Sequence, residues 1–190
     1  KELPVNTLKV PAGFKVEVWA EGIPEARSLA LGDKGTVFVG SRLQDKVYAI
    51  VDKGGKREVK IIASGLYRPN GVAVKNGTLY IGSLGQDSVY RATSKESQAK
   101  TWIQPKSNGL ATVLGVFADE KAGTLWVCAS TTGGRGTPVV GETALKAFNL
   151  KTGQLAAKYD FPTDVPAACN DIALAKDGTL WATETLAGRI

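Results

Sequence analysis

The chain has 190 residues, 43% of them apolar and 22% charged, the balance of an ordinary globular domain. Its net charge of +6 comes from Lys and Arg scattered singly, which argues against nucleic-acid binding, and no apolar run approaches the ~18 residues of a membrane span. Histidine is absent, which removes Ser-His-Asp and Cys-His nucleophile systems and His-rich zinc sites and leaves Asp, Glu, Lys, Arg, Tyr, Cys or a bound cofactor to carry any chemistry.

The first four residues, Lys1-Glu2-Leu3-Pro4, are polar and read as a mature end rather than a leader. Residues 14–20 read Phe-Lys-Val-Glu-Val-Trp-Ala. They precede the first repeat and are expected to be an outer strand donated to another blade. One phrase then recurs four times: Gly35-Thr36-Val37-Phe38, Gly77-Thr78-Leu79-Tyr80, Gly123-Thr124-Leu125-Trp126 and Gly178-Thr179-Leu180-Trp181. The spacings of 42, 46 and 55 residues match the length of a four-stranded propeller blade.

Each phrase follows a short apolar segment and a polar turn, as in Gly71-Val72-Ala73-Val74 and Asp171-Ile172-Ala173-Leu174. The pattern predicts a strand, a tight turn and a second strand. Third strands are expected near 46–50, 88–91 and 144–148, and outer strands near 59–63, 101–104 and 156–161. No useful helical periodicity is present. The expected fold is all-β, a β-propeller with units near 26–66, 68–107, 111–165 and 167–190, about three and a half blades. Propellers have 4–8 blades, and the expectation is a fragment of a larger ring whose remaining blades would be its partner. The aromatic slot (Phe38, Tyr80, Trp126, Trp181) is expected to pack between blades.

Several phrases resemble known families. From about residue 79 to 190, Ser107-Asn108-Gly109-Leu110-Ala111, Leu125-Trp126-Val127-Cys128 and Cys169-Asn170-Asp171-Ile172-Ala173 resemble the gluconolactonase, senescence-marker-protein (regucalcin) and strictosidine-synthase-like superfamily. From about 10 to 80, Pro11-Ala12-Gly13-Phe14 and Arg68-Pro69-Asn70-Gly71-Val72-Ala73 look more like the sorbosone and glucose dehydrogenase propellers. Both families are six-bladed, and the first implies a divalent cation on the channel axis, held by Asn and acidic side chains at inner-strand starts.

The residues just before the inner apolar segments are Arg27, Asn70, Leu114 and Asn170. Asn70 and Asn170 are therefore the expected metal ligands, their amide oxygens suiting a hard cation such as calcium; the alternative is that each caps a turn. Arg27 falls where the family places an acid, with Glu25 nearby but out of phase; it would favour an anionic substrate or quinone, or form an ion pair at the rim. Asp171 is the candidate catalytic base, Asn108 a turn residue or a channel polar group, and Glu184 a substrate-facing acid or a solvated rim charge. The Gly-rich stretch 131–138 is expected to be a lid over the channel mouth. Cys128 and Cys169 are either two buried thiols or a disulfide between adjacent blades, which would imply an oxidising compartment.

Three functions fit. The first is a metal-assisted hydrolase of a lactone or ester, acting on a small, sugar-derived molecule. The second is a non-catalytic propeller that binds a ligand or partner. The third is a sugar dehydrogenase using pyrroloquinoline quinone. The compartment expected is periplasmic or secreted, with the cytoplasm as the alternative.

Overall fold

The computed structural model describes residues 4–131, 142–162 and 166–190. The strands fall in four groups. The first is β1 (Ala26–Leu31), β2 (Val37–Ser41), β3 (Val47–Lys53) and β4 (Lys56–Ala63). The second is β5 (Pro69–Lys75), β6 (Thr78–Ser83), β7 (Val89–Thr93) and β8 (Lys100–Ile103), and the third is β9 (Thr112–Asp119), β10 (Thr124–Ser130), β11 (Thr143–Asn149) and β12 (Leu155–Asp160). The fourth is the pair β13 (Cys169–Leu174) and β14 (Leu180–Glu184). Each group is one antiparallel sheet in which every strand pairs with the next in sequence. This is the meander of a propeller blade, and the chain is a partial β-propeller of three complete blades and the start of a fourth. In the fourth, a bridge between Glu184 and Arg189 begins a third strand.

The recurring phrase produces these sheets by local physics. Its glycines adopt positive φ in the turn between first and second strands, 79° at Gly35 and 69° at Gly77, where a side chain would be strained. The β-branched and aromatic residues that follow suit a pleated, half-buried surface. Successive residues then face opposite neighbours. Tyr80 and Val89 on the second sheet pack against Val116, Leu125 and Phe148 of the third. Leu79, Ile81 and Tyr90, on its other face, pack against Val47, Ala63 and Leu66 of the first blade. The aromatic slot behaves alike in three blades, with Phe38, Tyr80 and Trp126 packed between sheets. Trp181 is 51% exposed, because the face of β14 turned away from the third blade meets no further sheet among the described residues. Leu29 and Leu31 on β1 are 65% and 71% exposed for the same reason at the other end.

Residues 14–20 form no strand and pair with no sheet of the described chain. At the end of this segment and just beyond it, Ala20 and Ile23 pack on Val39, Tyr48 and Ile50 of the first blade. The Arg57 guanidinium lies 5.1 Å from the Trp19 ring centroid. A strand needs an edge to pair with, and none of the sheets among the described residues pairs with this segment. The Gly-rich stretch 131–138, expected to be a lid, lies outside the described residues apart from Thr131.

Candidate channel site

The inner strands β1, β5, β9 and β13 approach one another backbone to backbone. A Cβ on Gly71 of β5 would lie 2.1 Å from the Leu114 carbonyl oxygen, and one on Gly115 of β9 2.6 Å from that of Asn170; on the second strand β2, a Cβ on Gly40 would lie 2.3 Å from the Asn70 carbonyl oxygen. Real Cβ contacts do not come this close, so Gly71 and Gly115 let the second and third blades seat their inner strands against the next, and Gly40 lets β2 approach the start of β5. The starts of the inner strands thus form one wall, with Asn70, Leu114 and Asn170 as successive members.

Asn70 is 4% exposed, and its Nδ2 donates across that wall to the Leu114 carbonyl at 3.2 Å. Its Oδ1 is buried with no hydrogen-bond partner. Ser88 and Trp126 also carry buried unpartnered atoms, but Asn70 is the one of the three on an inner strand. Leaving a carbonyl oxygen unsatisfied costs about 1–3 kcal/mol, so this atom is strongly predisposed to accept a donor or a cation. Asn170 is half-buried, and no side-chain hydrogen bond holds it among the described residues. Neighbouring Asp171 is exposed; its Oδ1 accepts from the Ile172 N–H at 2.9 Å, and its own N–H donates to Thr183 Oγ1 at 3.0 Å.

The other candidates lie apart from this wall contact. Arg27 is exposed on β1. Asn108 is exposed in a short 3-10 turn with a left-handed φ of 56°. Its carbonyl and that of Gly109 accept from Lys146 Nζ at 2.7 and 2.6 Å. Lys146 is 1% exposed and also pairs with Glu142 at 3.2 Å. This buried cation, absent from the sequence reading, pins the linker between the second and third blades. Its signal was a lone lysine within the apolar run Ala144-Leu145-Lys146-Ala147-Phe148.

Glu184, considered above as a substrate-facing acid or a solvated rim charge, is 2% exposed. Its carboxylate accepts from the N–H groups of Ala168, Leu186 and Ala187 at 2.9, 2.6 and 2.7 Å, and Arg189 Nε lies 3.6 Å away. Ser41 and Ser83 occupy the equivalent position, each opposite the first residue of its inner strand. They too are fully buried and bonded to loop backbone. In the first, second and fourth blades the end of the second strand is thus a clasp for the loop beyond it. Burial alone would raise the Glu184 pKa, but the three N–H donors and the Arg189 guanidinium outweigh it and hold the carboxyl below 4.5.

The fold therefore binds ionised Glu184 more tightly than the unfolded chain does. Its stabilisation is complete above pH 4.5 and is lost as pH falls through the lower folded value. Trp181 fluorescence should report loosening of the fourth blade below that pH. Glu184→Gln should be less stable at pH 7 and should lose this part of the pH dependence; an unchanged acid profile would show that the carboxylate is not the clasp.

Cys128 on β10 and Cys169 on β13 are bonded as a disulfide with Cα atoms 5.1 Å apart, resolving the two sequence alternatives. The bond ties the third blade to the fourth. Among the described residues no group of three His, Cys, Asp or Glu side chains is placed to hold a metal ion.

No protein-family model and no curated protein sequence matches the chain. Solved structures do match its fold. The nidogen/laminin complex matches at 13% identity over 84% of this chain and 56% of that one, with a TM-score of 0.65. Virginiamycin B lyase from Staphylococcus aureus, catalytically inactive with a histidine replaced and crystallised with quinupristin, matches at 16% identity over 84% and 49%, with a TM-score of 0.62. Regucalcin from Agrobacterium tumefaciens, described as a calcium-binding protein, matches at 15% identity over 83% and 52%, also with a TM-score of 0.62. The chain thus spans about half the length of these structures. At such identities the likeness carries fold alone: this is a β-propeller chain of the architecture that regucalcin and the streptogramin lyases share.

Proposed function

We propose that the channel wall is the site of a small-molecule hydrolase of the lactone or ester type, using a divalent cation held by the side-chain oxygens of Asn70 and Asn170. The observation that carries this reading is the buried, unpartnered Oδ1 of Asn70. Neutral amide oxygens suit calcium among the common ions, and calcium binding is what the regucalcin description names for that neighbour. When bound, such a cation would polarise a carbonyl and acidify a water.

The chain's own groups have separate tasks. The amide of Asn70 fixes its oxygen by holding Leu114. Asp171, one oxygen of which accepts from the backbone, has the other to take a proton from an attacking water. Arg27 and Asn108, both exposed, are the polar groups offered to an anionic or sugar-derived substrate. Glu184 is left out of the site, since its carboxylate serves the loop beyond β14.

A second reading, a propeller that binds a small polar ligand without catalysis, is favoured by the lack of three acidic ligands together among the described residues. The quinone-dehydrogenase reading draws on the exposed Arg27 and on no side chain of this wall. We further propose that remaining blades of a ring cover Leu29, Leu31 and Trp181, and that the disulfide places the protein in the periplasm or outside the cell.

Titration with calcium chloride, followed by calorimetry, tests the site. Asn170→Ala should weaken calcium binding at least tenfold, and Asn170→Asp, which adds charge to the same oxygen position, should strengthen it. Hydrolysis of a sugar lactone should fall in parallel with calcium binding in Asn170→Ala. Calcium binding indifferent to both variants would remove the metal site. Calcium binding without hydrolysis would leave the binding reading.

A further inference from the structure

Away from the channel wall, at the turn end of the first two blades, a cavity of about 460 Å³ opens between the sheets. Phe38, Ile62, Val74, Leu79, Ala92 and Ala99 form its apolar lining. Val74 is four residues along β5 from Asn70, about 13 Å at the rise of a strand, so this space is separate from the candidate channel site. Its origin can be read by comparison with the next gap, between the second and third blades.

Three positions differ in size. Ile62 lies one residue before the partner of Val47, and Trp102 one residue before the partner of Val89. Leu79 pairs with Ala92, whereas the corresponding Leu125 pairs with Phe148, which is fully buried. Ala99 precedes β8, where Leu155 opens β12. In the second gap, Trp102, Phe148 and Leu155 fill the space, and Trp102 also packs on Tyr80 with ring centroids 5.2 Å apart. In the first gap, isoleucine and two alanines leave it open. Packed interiors rarely keep such a volume, and it lies within the ~300–1,000 Å³ of small-molecule sites.

The cavity edge is polar and acidic on one side. Glu96 Oε2 accepts from the Thr93 N–H and hydroxyl, both at 3.0 Å, while among the described residues Oε1 meets only the exposed Lys100 amine, at 3.4 Å. The Thr93 hydroxyl first, then the Lys100 amine, hold the Glu96 carboxyl below its usual range against the opposing effect of burial. From the matched truncations and this oriented carboxylate, we infer that the gap between the first two blades is a second binding site, for a small molecule with an apolar ring body and an ammonium end. The body takes the place that Trp102, Phe148 and Leu155 occupy one blade on, and the ammonium meets Glu96 Oε1. This inference does not rest on the channel reading.

The test uses 4-phenylbutylamine as probe and 4-phenylbutyrate as its charge-reversed counterpart, with the methyl NMR signals of Ile62, Ala92 and Ala99 as readout. The amine should shift these signals saturably at one site. The butyrate should bind at least tenfold more weakly, as should the amine to Glu96→Gln. Ala92→Phe and, as a milder filling change, Ala99→Leu should each abolish binding, while Asn170→Ala leaves it unchanged. Absence of saturable shifts would overturn the proposal. So would equal binding of the butyrate, or binding that survives in the folded Ala99→Leu variant.

Discussion

Replacing both Cys128 and Cys169 with alanine should lower stability by about 4 kcal/mol, the chain-entropy value for a loop of this length. The bond closes a segment with a sequence separation of 41. Both cysteines are fully buried, in a cluster with Leu145 and Ile172 that also forms the seam between the third and fourth blades. Among the described residues the fourth sheet holds β13 and β14 alone, so it is anchored chiefly along its seam with the third blade, where the disulfide lies. The loss should therefore be uneven: Trp181, on β14, should report an early transition, while Tyr80 and Trp102, deep between the second and third blades, melt later. Urea unfolding with and without reductant measures this directly. The reduced wild type and the double alanine variant should behave alike, both shifted to lower urea. A midpoint that ignores reductant would mean that the two thiols are not joined in the folded protein.

The strands were legible because their cause is local. A glycine in a turn followed by Thr, an aliphatic residue and an aromatic residue predicts a hairpin at each recurrence, and Phe38, Tyr80 and Trp126 sit where that phase puts them. Trp181 shares the phase but is half exposed, because its packing depends on a neighbouring sheet rather than on its own strand. Glu184 shows the limit of reading the ends of strands. An acid after an apolar strand looks like a solvated charge, yet three backbone N–H groups converge on it once the loop folds back. Lys146 was hidden for a similar reason: its partners, the Asn108 and Gly109 carbonyls, are about forty residues away and are backbone atoms with no sequence signature. The interblade cavity needed the strand registers, since only these align Ala92 with Phe148. The asparagines were found by phase, but phase could not reveal that the Asn70 amide is spent on Leu114 while its oxygen is left over.

Gly71→Ala should be among the most damaging single substitutions in the chain, at about 3 kcal/mol or more, the upper end for overpacking a rigid interior. An added Cβ would lie 2.1 Å from the Leu114 carbonyl oxygen, 3.1 Å from its carbon and 3.3 Å from the Val116 nitrogen. All three atoms are backbone of β9, so no rotamer change relieves the clash and the second and third blades must move apart. Gly82→Ala should also be costly, though less so: its Cβ would meet Val113 Cγ1 at 2.4 Å and Val116 Cγ1 at 3.2 Å, side-chain rather than backbone atoms but both in the buried core. Gly123→Ala provides the contrast, with nothing within 4 Å but a φ of 66°; it should cost about 1 kcal/mol, from backbone strain alone. Separation of β5 from β9 would also stretch the Asn70 bond to Leu114, so any ligand affinity of Asn70 should fall with stability in Gly71→Ala and persist in Gly123→Ala. Urea midpoints for the three variants give the order. A Gly71→Ala protein as stable as Gly123→Ala would mean that the inner strands are not seated backbone against backbone, and the channel wall built on that contact would have to be redrawn.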